Sequence, residues 1–233
     1  MRAEEIKAAL QELASDKEIE ILQETDDGIL VYDLEYGKEI AYNLNMTVEK
    51  LIDKIYINPS IPKYCIPDKK KVAEYLIKHL PVDAFYTLNK ICFVYGEEAD
   101  CETLAQFFDE DVDWARDVIL SDNLGKMWFE YNSVLIDVKN IIESAEQIAR
   151  EDRAMGWPCS ERTDTMRQIA ITLIHELRHL MLDTNIVLSE EEYPVNLSTE
   201  ESVEHFAVRT IGMYGHNIFT ERGYNVADII PCV

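Results

Sequence analysis

The chain has 233 residues, 47% of them apolar and 9% aromatic, and a formal net charge of −23. That length and apolar content suit one large domain or two small ones around a sizeable core. The acidic excess repels phosphate backbones and so argues against nucleic-acid binding, and no apolar stretch reaches the length of a membrane span. The opening MRAEEIKAALQELASDKEIE is a charged amphipathic pattern rather than a basic region followed by an apolar signal core, so a cytoplasmic protein is expected. Five cysteines, Cys65, Cys92, Cys101, Cys159 and Cys232, form an odd set without a CxxC pair. Scattered reduced thiols are the expectation, not a disulfide framework.

In chain order, residues 3–15 show helical spacing through Ile6, Leu10 and Leu13. GILVYDLEYGKEIAYNL, residues 28–44, reads as a hairpin turning near Glu35, Tyr36 and Gly37. A short helix from about Thr47 follows, then INPSIPKYCIPD, whose three prolines suggest a linker or irregular excursion. Residues 69–80 read as helix and stop before Pro81. AFYTLNKICFVYG has strand composition, and an acidic stretch over 101–120 reads as one helix. Residues 125–138 read as two strands around Tyr131, Asn132 and Ser133, and 139–154 as helix. Two helices, about 164–183 and 198–212, follow, and the whole order predicts an α+β fold. Residues 1–83 form an N-terminal α+β region in this reading, and 84–233 a second domain.

IAITLIHELRHLMLD, residues 169–183, places ionisable groups in an apolar run. On a helix, Met166, Ile169, Ala170, Leu173, Leu177, Leu180 and Met181 fold onto one stripe, while Gln168, Thr172, His175 and His179 share the opposite side. His175-Glu176-Leu177-Arg178-His179 is an HExxH motif. Its spacing of four aims both imidazoles at one ion, at the roughly 2.0–2.1 Å of a zinc–nitrogen bond. Glu176, about 100° around the helix, is then placed as general base toward a water that the metal activates. The plain alternative is a solvated helix that happens to carry two histidines.

A catalytic zinc needs a third protein ligand. The HExxHxxGxxH extension is absent, since Leu182 and Asn185 stand at the glycine and third-histidine positions. NLSTEESVEHFAVRTIG offers Glu200, Glu201 and Glu204. Ser198 to Glu201 forms a capping box, which occupies Glu201. The core stripe Val203, Phe206, Ala207, Thr210 and Ile211 puts Glu200 and Glu204 on the inner flank, with Glu201 and His205 toward solvent. Glu200 is therefore the expected third ligand, and Glu204 the carboxylate that orients a ligating histidine through its other ring nitrogen. The alternative for this pair is an acidic first turn favoured by the helix dipole.

These motifs resemble those of gluzincin-type zinc metallopeptidases. Residues 200–207, EESVEHFA, are similar to the E-x-x-A-N-x-F-A segment of ImmA/IrrE-like intracellular peptidases, with Val203 for alanine and Glu204 for asparagine. The resemblance spans about residues 125–215. It implies a zincin-like catalytic domain with a mixed sheet, an active-site helix and a third-ligand helix, acting on a peptide or protein substrate with Zn2+ as cofactor. It also implies an edge strand along the cleft, for which 128–131 and 134–138 are the candidates, the alternative being that they form an interior hairpin of the sheet, and a downstream oxyanion-binding side chain. Tyr214, His216 and Tyr224 could serve, and His216 is favoured as a catalytic group. The rival expectation is a non-catalytic or latent metal-binding regulatory protein, with Cys159 as a fourth ligand, or with Cys159 or Cys65 as a blocking thiolate.

Overall fold

The computed structural model describes residues 2–96, 98–119, 123–159, 163–183 and 199–211. The chain starts with α1 (Arg2–Ser15), which lays Leu10 on a three-stranded antiparallel meander of β1 (Ile19–Glu24), β2 (Gly28–Asp33) and β3 (Lys38–Asn43). The β2–β3 turn closes where Asp33 Oδ1 accepts the backbone N–H groups of Glu35 and Tyr36, and Gly37 takes a φ of 64°. This positive φ suits glycine, which has no Cβ to clash. The hairpin expected over 28–44 is present. Strand β1 was not foreseen from the sequence.

Helix α2 (Val48–Lys54), capped by the Thr47 hydroxyl, runs straight into β4 (Ile55–Ile57). The proline-rich stretch after it is no linker. Ile61 and Cys65 are fully enclosed in the main core, beside Val72 and Leu76 of α3 (Lys69–His79). Strands β5 (Lys90–Val94), β6 (Gly125–Trp128) and β7 (Ser133–Asp137) complete a mixed sheet in the order β4-β5-β7-β6. β4, β5 and β7 are parallel, and β6 lies antiparallel on β7 at the edge. The main sheet thus joins residues on both sides of position 83.

Side chains alternate across this sheet, as period two requires. Ile91, Phe93, Val134 and Ile136 face α3 and α7 (Thr165–Asp183), while Cys92, Val94 and Leu135 face α4 (Glu98–Phe108) and α5 (Val112–Ile119). The acidic stretch is two helices, not one. It breaks at Asp109, whose φ of 55° is the left-handed conformation that aspartate tolerates better than most residues. Helices α6 (Val138–Ala154) and α8 (Thr199–Ile211) finish the described chain. The architecture is α+β, with helices and two sheets. No helix among the described residues is long and apolar enough to cross a membrane.

Two expectations are corrected here. The edge strand is β6, Gly125–Trp128; residues 129–131 form a 3-10 turn, and β7 is interior because it pairs on both sides. Cys65, Cys92 and Cys101 are free and buried, but Cys159 is disulfide-bonded, which the odd count and scattered spacing concealed.

Candidate metal centre

Helix α7 forms because its apolar spacing lets one stripe insert into the core. Met166, Ile169, Ala170, Leu173, Leu177, Leu180 and Met181 are all wholly buried, as the helical period predicts. The opposite side emerges at the protein surface, where the side chains of His175 and His179 are 20% and 17% exposed. Helix α8 docks on α7 through Val203, Ala207 and Ile211. That register swings its first turn over the histidines. Glu201 and His205 face solvent, as expected. Ser198, the expected N-cap of α8, lies outside the described residues, as do Tyr214, His216 and Tyr224.

His175 Nε2 and His179 Nε2 stand 3.2 Å apart. Glu200 brings one oxygen to 3.4 Å from His175 Nε2 and the other to 3.5 Å from His179 Nε2. One donor atom from each of the three residues lies within 4.8 Å of the others. The two Glu200 distances involve different carboxylate oxygens, so the residues converge on one region, with one donor atom from each within 4.8 Å of the others, and this donor set fits a bound divalent ion. Among the described residues no fourth histidine, cysteine or acid joins them. The Glu200 side chain is 72% exposed, so the face opens to solvent.

The surrounding groups support this arrangement. Glu204 Oε2 lies 3.2 Å from His175 Nδ1, so the Nδ1–H donates to the carboxylate and the Nε2 lone pair is left facing Glu200 and His179. This hydrogen bond is the main cause that raises the His175 pKa above its ordinary value and lowers that of Glu204. Burial dominates at His179 and pulls its pKa down, which favours the neutral imidazole that a metal requires.

Glu176 lies against the edge strand. Its carboxyl is pushed up to about 7, chiefly by burial, with His175 and a hydrogen bond from the Met127 backbone pulling the other way. A general base works best with a pKa near the operating pH. Gly125 is the reason that strand and helix can approach so closely. A Cβ there would lie 2.5 Å from Thr172 Cγ2 and 3.0 Å from Glu176 Cγ. The sequence reading missed this contact of Gly125 and Met127 with Glu176. The only signal was a glycine opening a predicted strand, which alone is weak.

Other expectations resolve as follows. Arg178 is buried, its guanidinium 5.4 Å from the centre of the Phe206 ring. Cys65 is fully enclosed, and burial pushes its thiol up to about 12, so it supplies no blocking thiolate. Cys159, being disulfide-bonded, offers no thiolate either. No family model, no curated protein and no solved structure matches the chain.

Proposed function

We propose that this chain is a zinc-dependent peptidase with a zincin-like catalytic fold. The observation that carries the reading is the convergence of His175, His179 and Glu200, one donor atom from each within 4.8 Å of the others, beside a buried carboxyl that does not join them. Two imidazoles and one carboxylate form a donor set that suits zinc, and three protein ligands rather than four are the mark of a catalytic site. The mixed sheet with its antiparallel edge strand over the HExxH helix agrees with the fold the motifs imply.

In this reading His175, His179 and Glu200 hold the ion, and Glu204 fixes the tautomer and ring angle of His175. A bound zinc supplies Lewis acidity, polarising a carbonyl and easing deprotonation of water near neutral pH. Glu176 accepts the proton of the attacking water and passes it to the departing amine. Its position against β6 sets where that water must stand. Among the described residues the outer edge of β6 pairs with no other strand, and in this reading it offers backbone groups to an extended peptide, which aligns a scissile bond along the strand.

The test compares metal content with turnover. Glu176→Gln is expected to retain one zinc per chain and to lose roughly 10²–10⁴-fold in hydrolysis of a mixed peptide library, while His179→Ala loses the metal. Wild-type turnover in Glu176→Gln would sink the mechanism.

A further inference from the structure

The outer edge of β6 has few backbone groups, and one of them is already taken. The Asp137 N–H donates to the Leu124 carbonyl at 2.9 Å, and the antiparallel register sets Lys126 opposite Leu135 and Trp128 opposite Ser133. In an antiparallel ladder, residues bonded to the partner strand alternate with residues whose N–H and C=O point away from it. Leu124, Lys126 and Trp128 therefore bond to β7, while Gly125 and Met127 turn their backbone groups outward. Among the described residues no strand pairs with that side.

Glu176 takes it. The Met127 N–H donates to the Glu176 carboxylate, and Glu176 Oε1 lies 3.1 Å from where a Gly125 Cβ would stand. Both outward residues thus lie against one side chain, which is only 8% exposed. An amide N–H bonded to a carboxylate is a charge-assisted pair, about twice as strong as a neutral one. A charged group folded onto an edge strand also blunts it, because an incoming strand must displace the charge before it can pair. An extended peptide that adds to β6 by main-chain hydrogen bonds needs the same N–H. It brings only a neutral carbonyl to Met127, but it also reaches the Gly125 N–H and the outward carbonyls of both residues, so a short ladder replaces a single bond.

We propose that Glu176 is a latch on β6: the Met127 N–H holds its carboxylate in the free chain, and an extended substrate that pairs with Gly125 and Met127 takes that N–H and frees the carboxylate for proton transfer. This step rests on the peptidase reading of the metal centre. It restricts the substrate class. A chain able to lie extended along both residues releases the base, whereas a lone amide or a compact folded segment, which cannot form the ladder, leaves it held. The edge of β6 then serves as the sensor of a docked chain as well as its support.

The experiment follows amide hydrogen exchange by NMR in the full chain loaded with zinc. In wild type the Met127 amide is expected to exchange at least about tenfold more slowly than the Gly125 amide, since both face outward and only one has an acceptor. Glu176→Ala, which keeps a good helix former in α7, should bring the Met127 rate up toward that of Gly125, while the Lys126 and Trp128 amides stay protected in every protein. Glu176→Gln, which retains a neutral acceptor, should fall between the two. Saturating a Glu176→Gln sample with a mixed library of unstructured decapeptides should then slow both Gly125 and Met127. Equal Met127 exchange in wild type and Glu176→Ala would overturn the proposal. So would a library that wild type cleaves but that leaves both amides unchanged, and in that case the peptidase reading stands while β6 is not the docking edge. Protection of both amides by a library that wild type does not cleave would have the opposite meaning: the latch stands and the peptidase reading fails.

Discussion

Asp137 closes β7 and begins α6, and these two duties set its chemistry against its surroundings. Its Oδ1 caps α6 by accepting the Asn140 N–H at 3.0 Å, while the residue is 4% exposed. Burial pushes its carboxyl up to about 6, with repulsion from Asp100 adding to the rise and the backbone N–H groups of Asn140 and Lys139 opposing it. The unfolded chain holds such a carboxyl near about 3.9. Between those values the native state binds the extra proton, so stability falls as pH rises from about 4 to 6. Above that window the ionised group costs on the order of 3 kcal/mol. Asparagine caps a helix as well as aspartate does. Asp137→Asn is therefore expected to raise Tm at pH 8 by up to about 10 °C, an advantage that disappears below about pH 4. Tm measured against pH for both proteins checks this; an advantage that does not vary with pH would refute the burial account.

The pairing of β6 with α7 is where an element-level contact controls a chemical group. Gly125 lets the strand settle against Thr172 and Glu176. Gly125→Ala must push either the strand or the Glu176 side chain aside, since Thr172 Cγ2 leaves no room and the Glu176 atoms very little. The expected outcome is unchanged zinc content, a loss of about 1–3 kcal/mol in stability from overpacking, and a fall in peptide hydrolysis of at least about tenfold. Full activity with the predicted instability would separate Gly125 from the positioning of Glu176. Such a contact was not legible in the sequence, because strand and helix meet across some fifty positions and no local period records it. What was legible is what a period does record. The stripe of α7 and the stripe of α8 each set a register, and the two registers together forced Glu200 and Glu204 over the histidines. Strand β4 escaped notice because Ile55, Tyr56 and Ile57 continue a helix without a turn signal, and their partners Ile91 to Phe93 are distant in the chain. The prolines beside it suggested a linker, although Ile61 and Cys65 pack into the core.

Charge and connectivity combine in the behaviour of the entire chain toward its ion. Helix α8 is held by three apolar residues on α7, by the Tyr75 hydroxyl donating to the Thr210 carbonyl at 2.6 Å, and by Arg178 over Phe206. All of these act on its middle or its end, except that Glu200 secures the first turn to the histidines. Without an ion, that first turn leaves the carboxylates of Glu200 and Glu204 around His175, with Glu200 also repelling Glu176, in a molecule of net charge −23. A divalent cation removes this repulsion and cross-links α7 to α8. Ligand present at a thousandfold above its Kd stabilises by about 4 kcal/mol. Chelation is therefore expected to lower Tm by about 10 °C, and His179→Ala should unfold near the chelated temperature and ignore the chelator. Added salt should recover part of the loss in the metal-free protein and do little to the loaded one, because screening relieves exposed like charges and acts weakly on a bound ion. If the chelated protein has measurably lost its metal and its Tm has not moved, the ion does not join these helices, and α8 is held by its apolar face alone.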